Sequence, residues 1–173
     1  MYDVLMHNDS YRLLEDFFDK HIIELRKSNT VQELLYFIGS KLKEDSILGA
    51  AYKYGVKIYS PAFIDSGFAM VLSFKKIDIN QFNDLNDFLN PIWEMKKKGF
   101  IYLGGGVPKN FIQQSLQFSP NGGADYGVQI TMDRVESGGS SGADVKESIS
   151  WGKLKHNAKY VDLRADVTIV LPL

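Results

Sequence analysis

The sequence predicts an α/β fold, a mostly parallel sheet flanked by helices. Three observations carry this. Short β-rich runs alternate with stretches of helical spacing. Glycine concentrates in two segments, 104–106 and 137–142, each following such a run, where parallel sheets place their ligand loops. The 173 residues, 45% hydrophobic and 24% charged, lie in the ordinary globular range and suffice for a single domain over 1–173 with one core. A domain of that size buries roughly 70% of the surface its unfolded chain exposes, so folding needs neither metal nor disulfide.

From Ser10, the apolar residues Leu13, Leu14, Phe17, Phe18, Ile22 and Leu25 recur at three- and four-residue spacing, predicting one amphipathic helix ending near Lys27. Thr30 and Glu33 form a capping box ahead of a second helix carrying Leu34, Leu35, Phe37, Ile38 and Leu42. A third runs over 46–54 and stops at Gly55. Residues 56–59 read as a first strand. Residues 77–98 are helical with a kink or break at Pro91, and Gly99 ends them. Residues 100–103 form a second strand that runs into three glycines and a helix opened by Pro108. A third strand over 126–132, a short helix over 145–149 and a fourth strand over 160–164 precede the apolar tail 167–173. A four-stranded half sheet with an unpaired edge is the expected result.

Composition excludes several functions. Zero cysteines removes disulfides, thiolate metal sites and cysteine nucleophiles. With 20 Lys and Arg against 21 Asp and Glu, the net charge of −1 gives no general attraction to nucleic acid or an anionic membrane. His7, His21 and His156 have no metal-ligand spacing, so no metal is expected. No basic leader and no run near the roughly 18 apolar residues of a membrane span is seen, and the expected location is the cytoplasm.

The stretch Gly104-Gly105-Gly106-Val107-Pro108-Lys109 lacks the GxxxxGK[ST] spacing of nucleoside triphosphatases. It reads either as a tight strand-to-helix turn or as a place where a cofactor phosphate approaches backbone NH groups. The 137–142 segment reads by itself as a linker, yet Glu147, Trp151 and Lys153 follow closely. On a helix Glu147 and Trp151 would share a face. Together they could grip a cationic amine, by ion pair and cation-π contact, beside a nucleophilic lysine. The alternative is a surface salt bridge beside a packed Trp.

The motifs Gly104-Gly105-Gly106-Val107-Pro108-Lys109, Ala124-Asp125-Tyr126-Gly127-Val128, Ser141-Gly142-Ala143, Ser150-Trp151-Gly152-Lys153 and Arg164-Ala165-Asp166 occur in order. Together they resemble deoxyhypusine synthase and, most nearly, its bacterial deoxyhypusine synthase-like relatives. The likeness extends upstream through Ser60-Pro61-Ala62-Phe63-Ile64-Asp65 to the stretch from Tyr2 to Tyr11, and covers about the second half of the family's usual length. It implies half of an NAD-binding Rossmann-like fold, homotetramers with active sites between subunits, and NAD-dependent aminobutyl transfer from a polyamine. Lys153 is implied as the imine nucleophile, and Glu147, Trp151, Asn110 and Ser140 as polyamine-side positions. Asp65, Gly104, Gly105, Gly106, Ser137, Gly138, Ser141, Ala165 and Asp166 are implied near NAD. Hypusine-forming members carry histidines where this chain has Asn110-Phe111, and Ser140 stands at an acidic position. A further family aspartate is missing from Ser66-Gly67-Phe68-Ala69-Met70. These differences point to a small diamine or polyamine acceptor, as in homospermidine formation. The family's N-terminal half has no counterpart here, so the expected partner is a second copy or a complementary half. The alternative is a non-catalytic fragment or subunit that assembles with, or regulates, a full-length relative.

Overall fold

The computed structural model describes residues 7–172. It divides into two compact units, 1–84 and 85–173, and residues 2–6 and 173 of the motifs and tail above lie outside the described residues.

The first unit is helical. The predicted first helix is two, α1 (Asp9–Lys20) and α2 (Ile22–Leu25), because His21 leaves helical geometry at φ −115°, ψ 18°. α3 (Val31–Gly39) begins at Thr30, whose hydroxyl accepts from Glu33 N at 3.1 Å. The Glu33 carboxylate accepts from Asn29 N at 2.7 Å, one residue earlier than a reciprocal capping box requires. α4 (Ile47–Tyr54) is capped by Ser46 and ends at a left-handed Gly55, as its sequence predicts. The strand expected over 56–59 does not form: these residues have no neighbouring strand among the described residues, and a strand exists only as part of a ladder. A single 3₁₀ turn, Phe63–Asp65, leads instead to α5 (Gly67–Phe74), whose Ser66 cap accepts from Ala69 N at 3.1 Å. Phe18, Leu25, Val31, Leu34, Ile38, Phe63, Leu72 and Ile77 are the buried core of this unit.

α6 (Gln81–Glu94) takes Pro91 within one helix, rather than breaking into two, and stops four residues before the predicted end at Lys98.

The second unit holds a three-stranded, all-parallel sheet in the order β1 (Gly99–Leu103), β2 (Ala124–Thr131), β3 (Leu154–Arg164). Ile101, Val128 and Val161 stand in one register row, and Tyr102, Gln129 and Asp162 in the next. Four strands were expected and three form, since 56–59 contributes none. β3 starts six residues before the predicted 160, in a run without apolar alternation; a bulge at Ala124/Tyr126 absorbs the mismatch. Between β1 and β2 runs α7 (Val107–Gln117), and between β2 and β3 the one-turn α8 (Glu147–Ser150). Phe100 and Tyr102, stacked with centroids 4.0 Å apart, pack on one face with Leu116, Val145 and Leu154. On the other face Ile101 and Val161 are 65% and 56% exposed. The predicted tail is the short α9 (Val167–Val170). Among the described residues no helix is long and apolar enough to cross a membrane.

Candidate functional site

Both glycine-rich segments lie beyond the carboxyl ends of strands, and they meet. Gly104 and Gly106 turn the chain from β1 into α7 with φ of 81° and 79°, a region that side chains disfavour. Gly105 between them faces Ser141 so closely that a Cβ there would overlap the Ser141 Cα. The linker reading of 137–142 is thereby replaced by a packed loop. Ser140 Oγ accepts from Gly106 N at 2.9 Å, so this hydroxyl caps the start of α7. Ser137 and Gly138 form an exposed 3₁₀ turn and its left-handed end ahead of that contact.

The loop is anchored from below. Lys109, 3% exposed, donates to Ser140 O at 2.7 Å and Ala143 O at 2.8 Å. Gln129 Nε2 donates to Ala143 O at 3.1 Å, and Val145 N donates to Asp162 Oδ2 at 2.9 Å. From the side, Arg164 donates to Asp133 O and Gly142 O, each at 3.0 Å, and pairs with Asp144, while Ser141 Oγ donates to the Asp133 carboxylate. Burial lowers the Lys109 ammonium's pKa, with the Asp162 carboxylate opposing, and burial raises the Tyr102 phenol above its ordinary range. Lys109, Gln129, Asp162 and Arg164 hold this loop, and the sequence alone did not single them out for it. The one signal for them was Lys109 and Arg164 falling inside the quoted motifs.

Beside this loop an open groove is lined by Met132, Arg134, Val135, Arg164, Ala165 and Asp166. Ala165 N donates to Thr131 O at 3.1 Å, which ties the end of β3 to that of β2. Asp166 caps α9, and hydrogen bonds from the Thr168 hydroxyl and then its backbone NH lower its carboxyl pKa. Gly104 and Gly106, which carry no side chains, and this groove leave room for a ligand that approaches main chain closely. Asp65 closes the 3₁₀ turn of the first unit and is exposed there.

Lys153 belongs to a second group. It immediately precedes β3, whereas Ala165 and Asp166 immediately follow it. Its Nζ lies 3.4 Å from Asn110 Oδ1 and 3.5 Å from Gln113 Oε1, both on α7, and 6.0 Å from the centroid of the Trp151 ring. Gln113 is itself held by Ser148 Oγ at 2.7 Å. Glu147 and Trp151 do not share a long helix face, because α8 is one turn and Trp151 is its end; both side chains are exposed. Among the described residues no carboxylate lies within ion-pair distance of Lys153, so the salt-bridge alternative does not apply to it. No group of three or more metal-ligating side chains occurs among the described residues.

The deoxyhypusine synthase family pattern matches residues 1–173. The chain is similar to a probable deoxyhypusine synthase 1 of Methanosarcina acetivorans, 38% identical over all of this chain and 56% of the relative. It is also similar to a probable deoxyhypusine synthase 2 of Archaeoglobus fulgidus, 35% identical over all of this chain and 61% of the relative. A probable deoxyhypusine synthase of Methanopyrus kandleri is 33% identical, again over all of this chain, with 59% of the relative covered. The chain thus spans a little over half the length of these relatives, and by its full-length match it belongs to the deoxyhypusine synthase family.

Proposed function

We propose that this chain takes part in NAD-dependent aminobutyl transfer from spermidine or putrescine to an amine acceptor, with Lys153 as the covalent carrier. The observation that carries the reading is the setting of Lys153 Nζ: a half-buried amine with two neutral amide oxygens within hydrogen-bond reach and an indole ring centroid 6.0 Å away. The 104–106 turn, Ser137, Gly138, Ser141, Ala165 and Asp166 would hold NAD. When bound, NAD accepts hydride from the carbon next to the substrate nitrogen and returns it to the product. Lys153 in its neutral form attacks the resulting imine carbon, and its displaced proton leaves with the departing amine. Hydrogen bonds from Nζ to Asn110 and Gln113 leave the nitrogen lone pair to face the carbon. The acceptor amine then attacks the same carbon and frees Lys153. Glu147 and Trp151 are the candidates for binding the cationic end of the substrate. Asn110 in place of histidine and Ser140 in place of an acid support a small polyamine acceptor. The cytoplasm is the compartment this chemistry suits.

The exposed sheet face of Ile101, Tyr126 and Val161 and the separation of the two groups along β3 support an active assembly with further chain, either another copy, as in a tetramer, or a complementary half. With NAD and spermidine, borohydride should trap an aminobutyl adduct on Lys153, located by mass spectrometry. Lys153→Arg should abolish the adduct and lower transfer at least about 100-fold, because a guanidinium stays protonated. A second reading is a non-catalytic subunit that assembles with, or regulates, a full-length relative. Full transfer by an assembly carrying Lys153→Arg would establish that second reading instead.

A further inference from the structure

The loop over 140–145 turns its backbone inward: the carbonyls of Ser140 and Ala143 and the amide of Val145 all find partners beneath it. An apolar floor would strand these groups. The floor is polar instead, built from one register row, Tyr102, Gln129 and Asp162, with the Lys109 ammonium added from α7. Such a floor is costly in a core. Tyr102 Oη, Gln129 Oε1 and Asp162 Oδ1 are buried without a hydrogen-bond partner among the described residues, and a lysine is desolvated beside them. Stability alone is served better by apolar packing, so the arrangement answers to the loop's shape.

We propose that Lys109 is a positioning residue: its buried ammonium clamps the Ser140 and Ala143 carbonyls, holds the loop against Gly105, and so ties the cofactor side of the site to α7, the helix that faces Lys153. The Lys109 side chain lies under the loop and is closed off from the groove, so it acts through Ser140, Ser141 and Ala143 and touches no reactant. Two donors are needed at two carbonyls, which an ammonium supplies and a methyl group does not. Lys109 and Asn110 are consecutive on α7, and Gln113 is one turn on, so a shift of the clamp moves the acceptors around Lys153 as well.

Only the link to cofactor binding rests on the function proposed above, and the test separates the two. In the full chain, Lys109→Met keeps length and apolar bulk but removes both donors. Amide exchange at Gly142, Ala143 and Val145 should rise at least about tenfold, the loss expected for one charge-assisted hydrogen bond, while amides of β1 to β3 keep their rates. NAD affinity, read by calorimetry, should fall by a similar factor. Unchanged loop exchange, or a rise shared equally by the strands, overturns the clamp. A wild-type chain that does not bind NAD but whose loop loosens in Lys109→Met supports the clamp and removes the functional reading. If the variant fails to fold, nitrogen-edited NMR of the wild type decides: a slowly exchanging Lys109 ammonium coupled to the Ser140 or Ala143 carbonyl supports the clamp, and a rapidly exchanging one overturns it.

Discussion

Two helix N-termini in this chain are closed in opposite ways. At α3 the amides of the first three helical residues all have acceptors: Val31 N and Gln32 N donate to the Asp84 carboxylate, each at 2.8 Å, and Glu33 N donates to Thr30. A full negative charge, buried with Asp84, meets the positive end of the helix dipole. At α7 the only protein acceptor is neutral. Ser140 Oγ takes Gly106 N, Pro108 has no N–H, and the amides of Val107 and Lys109 have no acceptor among the described residues. The nearest buried charge, Lys109, is positive. α3 therefore begins at a closed end, and α7 at one where two amides have no acceptor among the described residues.

The largest expected effect is at the closed end. Asp84→Ala removes two charge-assisted bonds and leaves two amides unmet in a buried setting, which should cost about 3 kcal/mol of unfolding free energy in urea titrations. A loss below about 1 kcal/mol would mean that α3 is closed by Thr30 and Glu33 alone, and the contrast would break. Next comes Gly105→Ala, whose added methyl has no room beside Ser141. The two loops must part, with a cost of about 2 kcal/mol and weaker NAD binding, whereas an unchanged thermal midpoint would show the contact to be soft. The smallest effect sharpens the comparison most. Ser140→Asp gives α7 the carboxylate that α3 has, and should raise stability by about 0.5 kcal/mol while lowering NAD affinity several-fold. Improved NAD binding in that variant would show that the α7 end does not receive the phosphates.

These two ends also mark how far the sequence could be read. Thr30 and Glu33 announce the start of α3 because both partners lie within four residues, but Asp84 acts from more than fifty residues away and nothing in its local pattern distinguishes it. The triple glycine before Pro108 announces a strand-to-helix turn, yet that its close neighbour is Ser141 depends on the path of β2 and the loop after it. Residues 56–59 have strand-like composition and no neighbouring strand among the described residues, while 154–159 have little such pattern and pair because β2 lies alongside.

By itself the sequence determined the α/β class, the parallel order implied by strand–helix alternation, most helix starts, the family, and the residues around which its chemistry is proposed. Those features rest on periodicity, caps and contiguous motifs, whose physics acts over a few residues. Only the tertiary structure decided the number of strands, the burial of Lys109, the capping role of Ser140 and the two amide oxygens facing Lys153. Each depends on hydrogen bonds or packing between segments distant along the chain, and the energy of such a contact is set by which surfaces the fold brings together.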